Sequence, residues 1–250
     1  MHILITNDDG IDAVGLKFLI EAMRPLGNIS IAAPATEQSG VGVAFTPFAP
    51  IKVIKHSFPC ATPAFKVHGT PADCISYMLH MDHIKKPDLI VSGINRGANT
   101  GRYVLSSGTV GAVIEGLFAN IPGIAFSCTN YHEPNYELFV EHARAITKHI
   151  IEHPLPEHTL LNVNFPQNAP KGYRFARQGG GHWSKRAVQV DEDTYILEGA
   201  PLYEGEHPDG EVALLKEGFI TAAPIRIFNL THHAHLDEHK SIFESKFNVN

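Results

Sequence analysis

The sequence predicts an α/β fold, a doubly wound and mostly parallel sheet that carries a C-terminal β-hairpin extension. Up to residue 166, short β-branched segments alternate with helix-like segments, and this order is typical of right-handed β-α-β crossovers. The segment 88–95 is almost entirely apolar, as expected for a strand buried on both faces of a parallel sheet. Beyond Pro166, glycines separate short strand-like pieces, which indicate an extension and not a further crossover.

The core elements follow from local patterns. Strands are expected where apolar and β-branched residues run together and then stop, at 2–6, 28–33, 65–69, 88–95, 123–128 and 159–166. Helices are expected where apolar residues recur at helical spacing, at 14–24, 70–80, 109–119 and 136–152. Thr70 is a candidate N-cap, with Pro71 at the first helical position and Asp73 in the first turn. The alternating stretch 43–55 predicts an antiparallel excursion.

We expect a single domain over the whole chain. Residues 1–166 form the core with the functional site, and 167–250 form the hairpin extension and a tail that makes oligomer contacts. Two pieces, AVQV at 187–190 and TYILEG at 194–199, predict the hairpin. The apolar segment 219–227 predicts a returning strand, and the tail beyond it predicts a short amphipathic stretch.

Charge and composition exclude several classes of function. The net charge is −6 and the pI is about 6.2, so we expect neither duplex nucleic acid nor an anionic membrane as a partner. No apolar run reaches the roughly 18–20 residues that span a bilayer, and no signal peptide is expected. The three cysteines are isolated, which argues against a disulfide framework or a structural zinc site and predicts a cytoplasmic protein.

Four polar clusters lie at the ends of predicted elements. They are Asn7-Asp8-Asp9-Gly10, Glu37-Gln38-Ser39-Gly40, the run Asn95 to Asn99, and Ser106-Ser107-Gly108-Thr109. Open α/β sheets bind ligands beyond the carboxyl ends of their strands. We therefore expect all four clusters to face one crevice.

The adjacent carboxylates of Asp8 and Asp9 predict a metal site. Two carboxylates in a dry crevice are costly unless a cation compensates them. Carboxylate, amide and hydroxyl oxygens are hard ligands that suit Mg²⁺ or Mn²⁺. We interpret Asp8, Asp9, Ser39 and Asn95 as ligands of a divalent cation. The alternative is that the two aspartates only cap the first helix or form an Asx-turn.

Small residues open the helix expected at 109–119. The run from Ser106 to Thr109 exposes N–H groups at the positive end of a helix dipole, and this arrangement suits phosphate. Gly40 is a candidate to supply a further amide to the same oxyanion. The alternative is an ordinary Ser/Thr N-cap followed by close helix packing on glycine.

With these motifs, the sequence closely resembles the SurE family, the survival protein E nucleotidases. The matching segments come in the family's order and cover about the first half of the chain: ILITNDDGIDAVGL, AAPATEQSGVG, VHGTPADCISYML, PDLIVSGINRGANTG and SSGTVGAVIEG. The resemblance implies a Rossmann-like core and a metal-dependent phosphatase for nucleoside 5′-monophosphates. It also implies a homodimer or homotetramer that exchanges its C-terminal part between subunits. Some members also cleave 3′-nucleotides or short polyphosphate.

The resemblance also assigns residues. By position, the family's metal ligands fall on the four residues chosen above on chemical grounds, Asp8, Asp9, Ser39 and Asn95. Its phosphate contacts fall on Gly40, Asn99, Ser107, Gly108 and Thr109. The chain departs from the family in two places. Ser106 stands where the family usually has tyrosine, and 207–225 is a loose match to the family's Thr-Asp…Gly-Tyr-Ile-Ser-Ile-Thr-Pro run.

The predicted reaction is metal-assisted attack of water on a phosphomonoester, with one divalent cation per subunit. Asp8 and Asp9 are the candidate catalytic residues, because either carboxylate can orient the water or accept its proton. No Ser–His–Asp set is recognisable, so we expect no covalent serine intermediate. The alternative is a regulatory protein that binds nucleotide in the same site without turnover.

Two alternative roles are open for several other side chains. Arg96 either contacts phosphate or pairs with an acid such as Glu115, and pairing is favoured. Tyr103 and Trp183 either stack on a base or pack in a subunit interface. The spacing of the tail histidines is not a zinc pattern, so a surface or subunit-contact role is favoured for His232, His233 and His235.

Overall fold

The structure is a computed structural model that describes residues 1–58, 63–82, 84–203 and 207–247. Its strands are β1 His2–Thr6, β2 Asn28–Pro34, β3 Val53–Lys55, β4 Ala64–Val67, β5 Leu89–Arg96, β6 Gly123–Cys128, β7 Thr159–Phe165, β8 Tyr173–Phe175, β9 His182–Trp183, β10 Arg186–Asp191, β11 Thr194–Glu198, β12 Pro201–Leu202 and β13 Ile220–Arg226. Its α-helices are α1 Val14–Met23, α2 Pro71–His80, α3 Gly108–Phe118, α4 Val140–Glu152, α5 Glu211–Lys216 and α6 His233–Phe247. Short 3₁₀ helices cover Arg24–Leu26, Gly101–Leu105 and Tyr136–Phe139.

The central sheet has nine strands in the order β3-β4-β2-β1-β5-β6-β7-β13-β8. In this order, the six neighbouring strands β4, β2, β1, β5, β6 and β7 are parallel to one another. The strand β3 runs antiparallel to its neighbour β4, and β13 runs antiparallel to its neighbour β7. The chain winds outward from β1 to β2 in one direction, and from β5 through β7 in the other. The switch point of the topology therefore lies between β1 and β5, where α/β folds of this kind form their binding crevice.

Helices cover both faces of the sheet. On one face, Ile3 and Ile5 of β1 belong to a buried cluster with side chains of α1 and α4. On the other face, Leu4 belongs to a second cluster with side chains of α2 and α3. Because β1 has apolar side chains on both faces, both faces of the sheet must be covered by helices. The predicted doubly wound α/β fold is confirmed.

The N-terminus of α2 confirms the predicted capping. Thr70 Oγ1 accepts a hydrogen bond of 3.1 Å from the Asp73 backbone N–H, and Asp73 Oδ2 accepts one of 2.8 Å from the Thr70 N–H. This reciprocal pair is a capping box, and Pro71 occupies the first helical position because no intrahelical partner is needed there.

The structure differs from the expected elements in two places. Of the stretch 43–55, only Val53–Lys55 forms a strand, and the part before it is irregular apart from its turns. The expected antiparallel excursion is therefore confined to β3, which forms the edge of the sheet and pairs antiparallel with β4. The tail was expected to hold a short amphipathic stretch, but α6 runs for 15 residues and has no buried side chain.

The extension begins after β7, as expected, and β10 and β11 form its antiparallel hairpin. The returning strand β13 joins the central sheet and pairs with β7, so the sheet itself crosses the predicted division at residue 166. None of the helices in the described ranges is both long and apolar enough to cross a membrane. Cys74 and Cys128 are buried free thiols, and Cys60 lies outside the described residues.

Candidate functional site

The loop after β1 brings the two aspartates to the switch point. Asn7 Nδ2 donates to the Gly10 carbonyl at 2.9 Å, which closes the turn that carries both carboxylates. Asp8 is buried, with 4% of its surface exposed, whereas Asp9 is only half-buried. The two acids therefore have different surroundings although they are neighbours in the chain.

Asp8 is held against the N-terminus of α3. Its Oδ1 accepts a 2.5 Å hydrogen bond from Thr109 Oγ1, and the backbone N–H of Thr109 also donates to its carboxylate. Burial raises the pKa of Asp8 above its ordinary value, and the Thr109 hydrogen bonds oppose that rise. The alternative in which the aspartates cap the first helix is not seen, since α1 begins after Ala13 without a side-chain cap.

Asp9 lies between Asp8 and the end of β5. Its Oδ2 accepts a 3.2 Å hydrogen bond from the Arg96 backbone N–H. Burial, followed by repulsion from Asp8, raises the pKa of Asp9 to about 6, although that hydrogen bond acts in the opposite direction. The paired carboxylates thus carry negative charge that the fold itself compensates only in part.

The end of β5 supplies Asn95. The ladder between β5 and β6 shifts register between Ser92 and Asn95, where Gly93 has a φ of +128°. Asn95 Nδ2 donates to the Gly97 carbonyl at 2.8 Å, so its Oδ1 is the side-chain atom left to ligate a cation. The irregular strand end therefore places Asn95, whose amide oxygen is a hard ligand, in the lining of the same cleft as Asp8.

The loop after β2 supplies the exposed Ser39. Its Oγ donates to Glu37 Oε1 at 2.8 Å, which leaves the oxygen lone pairs for another partner. The loop is fixed to the first cluster because the Gln38 N–H donates to the Asp8 carbonyl at 2.7 Å. Gly40 follows with a φ of +78° and open space around it.

Arg96 makes a structural pair, as favoured, but its partner is not Glu115. Its Nη2 lies 3.7 Å from Glu37 Oε2, and its guanidinium carbon lies 4.7 Å from the centre of the Tyr131 ring. Glu115 instead hydrogen-bonds to Ser76 on α2. The expected partner was wrong because α3 carries Glu115 away from the end of β5.

One cleft of about 720 Å³ collects residues from all four clusters. Its walls include Asp8, Glu37, Ser39, Gly40, Asn95, Arg96, Asn99, Tyr103, Ser106, Ser107, Tyr131, His132, Trp183 and Tyr203. Asp9 faces an adjoining space of about 350 Å³ that it shares with Glu37, Arg96 and His132. The strand ends therefore converge as the sequence predicted, and the cleft has the size of an ordinary small-molecule site.

The predicted phosphate contacts divide into two groups. Gly40, Asn99 and Ser107 line the cleft, whereas Gly108 and Thr109 lie behind Asp8. The side chain of Ser107 caps α3 by accepting a 3.2 Å hydrogen bond from the Val110 N–H. The N–H groups of Ser106 and Ser107 both donate to the Tyr103 carbonyl, so these two amides are already used.

Sequence reasoning missed a buried polar network behind Asn99. The Asn99 N–H donates to Asn164 Oδ1 at 2.9 Å, and the Asn99 carbonyl accepts from Asn162 Nδ2 at 2.8 Å. Asn99 Nδ2 donates to Ser127 Oγ at 2.8 Å. A signal was present, because the two asparagines lie on the same face of the otherwise apolar strand TLLNVNF and are fully buried.

The tail histidines lie away from the cleft. His232, His233 and His235 are exposed at the beginning of α6, and His233 Nε2 shares a hydrogen bond with Asn229 Oδ1. Among the described residues, no group of three or more His, Cys, Asp and Glu side chains is arranged to hold a metal ion. A cation at Asp8 and Asp9 would therefore depend on the neutral oxygens of Ser39 and Asn95.

The donor set at Asp8 and Asp9 fits a divalent cation. The pKa of each carboxyl is raised by burial, and that of Asp9 also by repulsion from Asp8, which is the condition that a bound cation relieves. Arg96 brings a positive charge near the two acids, but its guanidinium is paired with Glu37. Carboxylate, hydroxyl and amide oxygens are the ligands that Mg²⁺ and Mn²⁺ prefer.

Known proteins share this chain's sequence and fold. A family model described as survival protein SurE matches residues 3–185. A 5′-nucleotidase SurE from Protochlamydia amoebophila is 40% identical, and the match covers 98% of each chain. A 5′-nucleotidase SurE 1 from Thermus thermophilus is 37% identical, again over 98% of each chain. The crystal structure of the SurE protein from Aquifex aeolicus matches with a TM-score of 0.85 and 30% identity, over 97% of this chain and 100% of that one. The chain therefore belongs to the SurE family.

Proposed function

We propose that this protein is a metal-dependent 5′-nucleotidase that hydrolyses nucleoside 5′-monophosphates to nucleoside and phosphate. The observation that carries the proposal is the pair Asp8 and Asp9 at the switch point: Asp8 lines a cleft of about 720 Å³ together with Ser39 and Asn95, and Asp9 faces the adjoining space. The curated relatives that match nearly the whole chain carry the name 5′-nucleotidase SurE, which supports the same activity here.

We assign one divalent cation, Mg²⁺ or Mn²⁺, to Asp8, Asp9, Ser39 and Asn95. Such a cation supplies charge compensation for the phosphate and lowers the pKa of water. Asp8 is fixed by Thr109, and Asp9 is held by the backbone N–H of Arg96. Both carboxylates are therefore preorganised before substrate binds.

The chain's own groups complete the reaction. Asp8 and Asp9 orient the attacking water or accept its proton. Gly40, Asn99 and Ser107 bind the phosphate from the cleft wall, where Asn99 is held by its buried hydrogen bonds. Gly108 and Thr109 lie behind Asp8. Thr109 therefore contributes to phosphate binding indirectly, because it holds the Asp8 carboxylate in position.

The aromatic wall of the cleft suits a nucleoside. Tyr103 and Trp183 meet edge to face with ring centres 6.0 Å apart, and Tyr131, beside Arg96, also lines the cleft. Within the described residues, the buried hydroxyl of Tyr103 has no hydrogen-bond partner. Base stacking is thus the interpretation of Tyr103 and Trp183 that we adopt.

We also propose a cytoplasmic homo-oligomer. The isolated cysteines suit a reducing compartment. The hairpin β10–β11 and the helix α6 leave apolar side chains exposed, among them Tyr195, Leu197, Ile242 and Phe243. Exposed apolar surface of this kind is typical of subunit contacts.

Phosphate release tests the proposed activity. The substrate panel contains 5′- and 3′-nucleoside monophosphates and tripolyphosphate, assayed after chelation and again after Mg²⁺ or Mn²⁺ is restored. We expect metal-dependent release that is highest with 5′-monophosphates, and a loss of several orders of magnitude in Asp9→Asn. Asp12→Asn is the matched control, because Asp12 is an exposed aspartate of the same loop that pairs with Lys66. Nucleotide binding without release by wild type would favour the regulatory alternative.

A further inference from the structure

The acid Glu211 is fully buried at the beginning of α5, outside the four clusters of the site. Its Oε1 accepts three hydrogen bonds, from the Gly101 N–H at 2.7 Å, Gln178 Nε2 at 2.5 Å and the Gly179 N–H at 3.1 Å. A buried carboxylate is costly unless it is hydrogen-bonded, and Oε1 of this one takes donors from two separate segments. Glu211 therefore joins the loop before α3 to the extension.

The two joined segments meet backbone to backbone beside the cleft. Gln178 Nε2 also donates to the Gly101 carbonyl at 2.9 Å, and the Arg102 N–H donates to the Gly181 carbonyl at 2.8 Å. A Cβ atom on Gly101 would lie 2.2 Å from the Gly181 carbonyl oxygen, so the two backbones are in direct contact. Position 101 has no room for a side chain, so the segments are joined by these two hydrogen bonds and by those to Glu211 Oε1.

Residues on both sides of this junction line the cleft. Asn99 and Tyr103 lie two residues before and two residues after Gly101, and Trp183 lies four residues after Gly179. Asn162 Nδ2 donates both to the Asn99 carbonyl at 2.8 Å and to Gln178 Oε1 at 3.1 Å, so the network behind Asn99 is continuous with the junction. Loss of the Glu211 acceptor would loosen both segments together.

We propose that Glu211 is a positioning residue for the nucleotide, which fixes the Asn99–Tyr103 loop against the Trp183 segment. The kinetic part of this inference rests on the proposed function. The donors that Glu211 Oε1 holds belong to Gly101, Gln178 and Gly179, none of which is assigned to the cation. Removal of Glu211 should therefore weaken nucleotide binding and leave cation binding intact.

Trp183 reports on the junction directly, because it is the single tryptophan of the chain. We expect Glu211→Ala to shift its fluorescence to longer wavelength and to increase its quenching by acrylamide. We expect the KM for the nucleoside monophosphate to rise about tenfold or more with a much smaller change in kcat, since substrate positioning and not the reacting groups is altered. The affinity for Mn²⁺, measured without nucleotide, should stay at the wild-type value.

Two further variants separate positioning from general destabilisation. Glu211→Gln keeps an oxygen acceptor of the same reach and should restore most of the KM and the Trp183 emission. Asp73→Ala removes another buried carboxylate with several hydrogen bonds, to Thr46 and Thr70, that lies outside the cleft wall. It should lower the melting temperature without raising KM. If Glu211→Ala fails to fold, Gln178→Ala, which loosens the same junction from its other side, takes its place.

The outcomes decide between the inferences. Wild-type Trp183 emission and wild-type KM in Glu211→Ala would overturn the positioning role. An equal rise in KM in Asp73→Ala would also overturn it, because the effect would then follow from lost stability. If the wild-type protein releases no phosphate, the proposed function fails on its own, and Trp183 emission still tests the junction.

Discussion

At the scale of single residues, the site depends on how differently two neighbouring acids are held. Asp8 is buried against Thr109, whereas Asp9 is half-buried beside the backbone of Arg96. Burial raises the pKa of both, and the repulsion between them adds to the rise at Asp9. The sequence showed that the acids are adjacent, but it did not show that a threonine one hundred residues away orients one of them.

Thr109→Val tests the orientation of Asp8. Valine has the shape of threonine but cannot donate, so the buried carboxylate loses its side-chain hydrogen bond. A hydrogen bond to a charged group is worth about 1.5–3 kcal/mol, so we expect cation affinity and kcat/KM to fall by roughly 10- to 100-fold. Isothermal titration with Mn²⁺ and steady-state kinetics measure both quantities. Thr109→Ser keeps the hydroxyl and should remain near wild type; an equal loss in both variants would contradict the role of the hydroxyl.

At the scale of elements, the ends of strands and the beginning of one helix are what place the cluster residues. The buried strand β5, the helix α2 with its N-cap, and the alternation of strands and helices were predictable, because each depends on local pattern and burial. The convergence of the four clusters was also predictable from the parallel arrangement. The partner of Arg96, the irregular 43–52 segment and the length of α6 were not, since each depends on tertiary contacts or on surfaces that the pattern does not specify.

Gly108→Ala tests the close approach between α3 and the β1 loop. A Cβ on Gly108 would lie 2.8 Å from the Cβ of Asp8 and 3.1 Å from the Gln38 carbonyl oxygen, so Asp8 must move. We expect turnover to fall about 100-fold or more while the circular dichroism spectrum is retained, because a displacement of this size misplaces a catalytic group. Gly180→Ala is the matched control, since a Cβ there meets no atom within 4 Å. Full activity in Gly108→Ala would show that the position of Asp8 is not critical.

At the scale of the whole molecule, the nine-stranded sheet supplies the strand ends of the site, and the extension adds Trp183 and Tyr203 to the lining of the cleft. The returning strand β13 connects the two parts, and Glu211 secures the extension to the loop before α3. The sequence predicted the extension but not this connection, because a single glutamate in a loosely matched segment gives no local signal of burial. The exposed apolar side chains of α6 remain to be covered in the proposed oligomer.

Ile242→Asp tests the proposed oligomer. Ile242 is 64% exposed on α6, next to the exposed Phe243, so a charge there does not disturb the core of the subunit. A buried charge in a subunit interface is strongly unfavourable, so we expect the mass measured by light scattering to fall to that of a monomer. Ser241→Asp adds the same charge at the neighbouring position and controls for charge alone. A monomeric wild type would contradict the assembly.

If Asp8 and Asp9 form a divalent-cation site, the protein binds Mn²⁺ directly, without nucleotide. Electron paramagnetic resonance counts free Mn²⁺ during a titration of chelated wild type, Asp9→Asn and the exposed control Asp12→Asn. We expect one bound ion per chain in wild type and in Asp12→Asn, and affinity lower by at least about tenfold in Asp9→Asn, since a buried carboxylate ligand is lost. Equal binding in all three proteins would contradict the cation site. Asp8 and Asp9 would then be interpreted as parts of a structural turn.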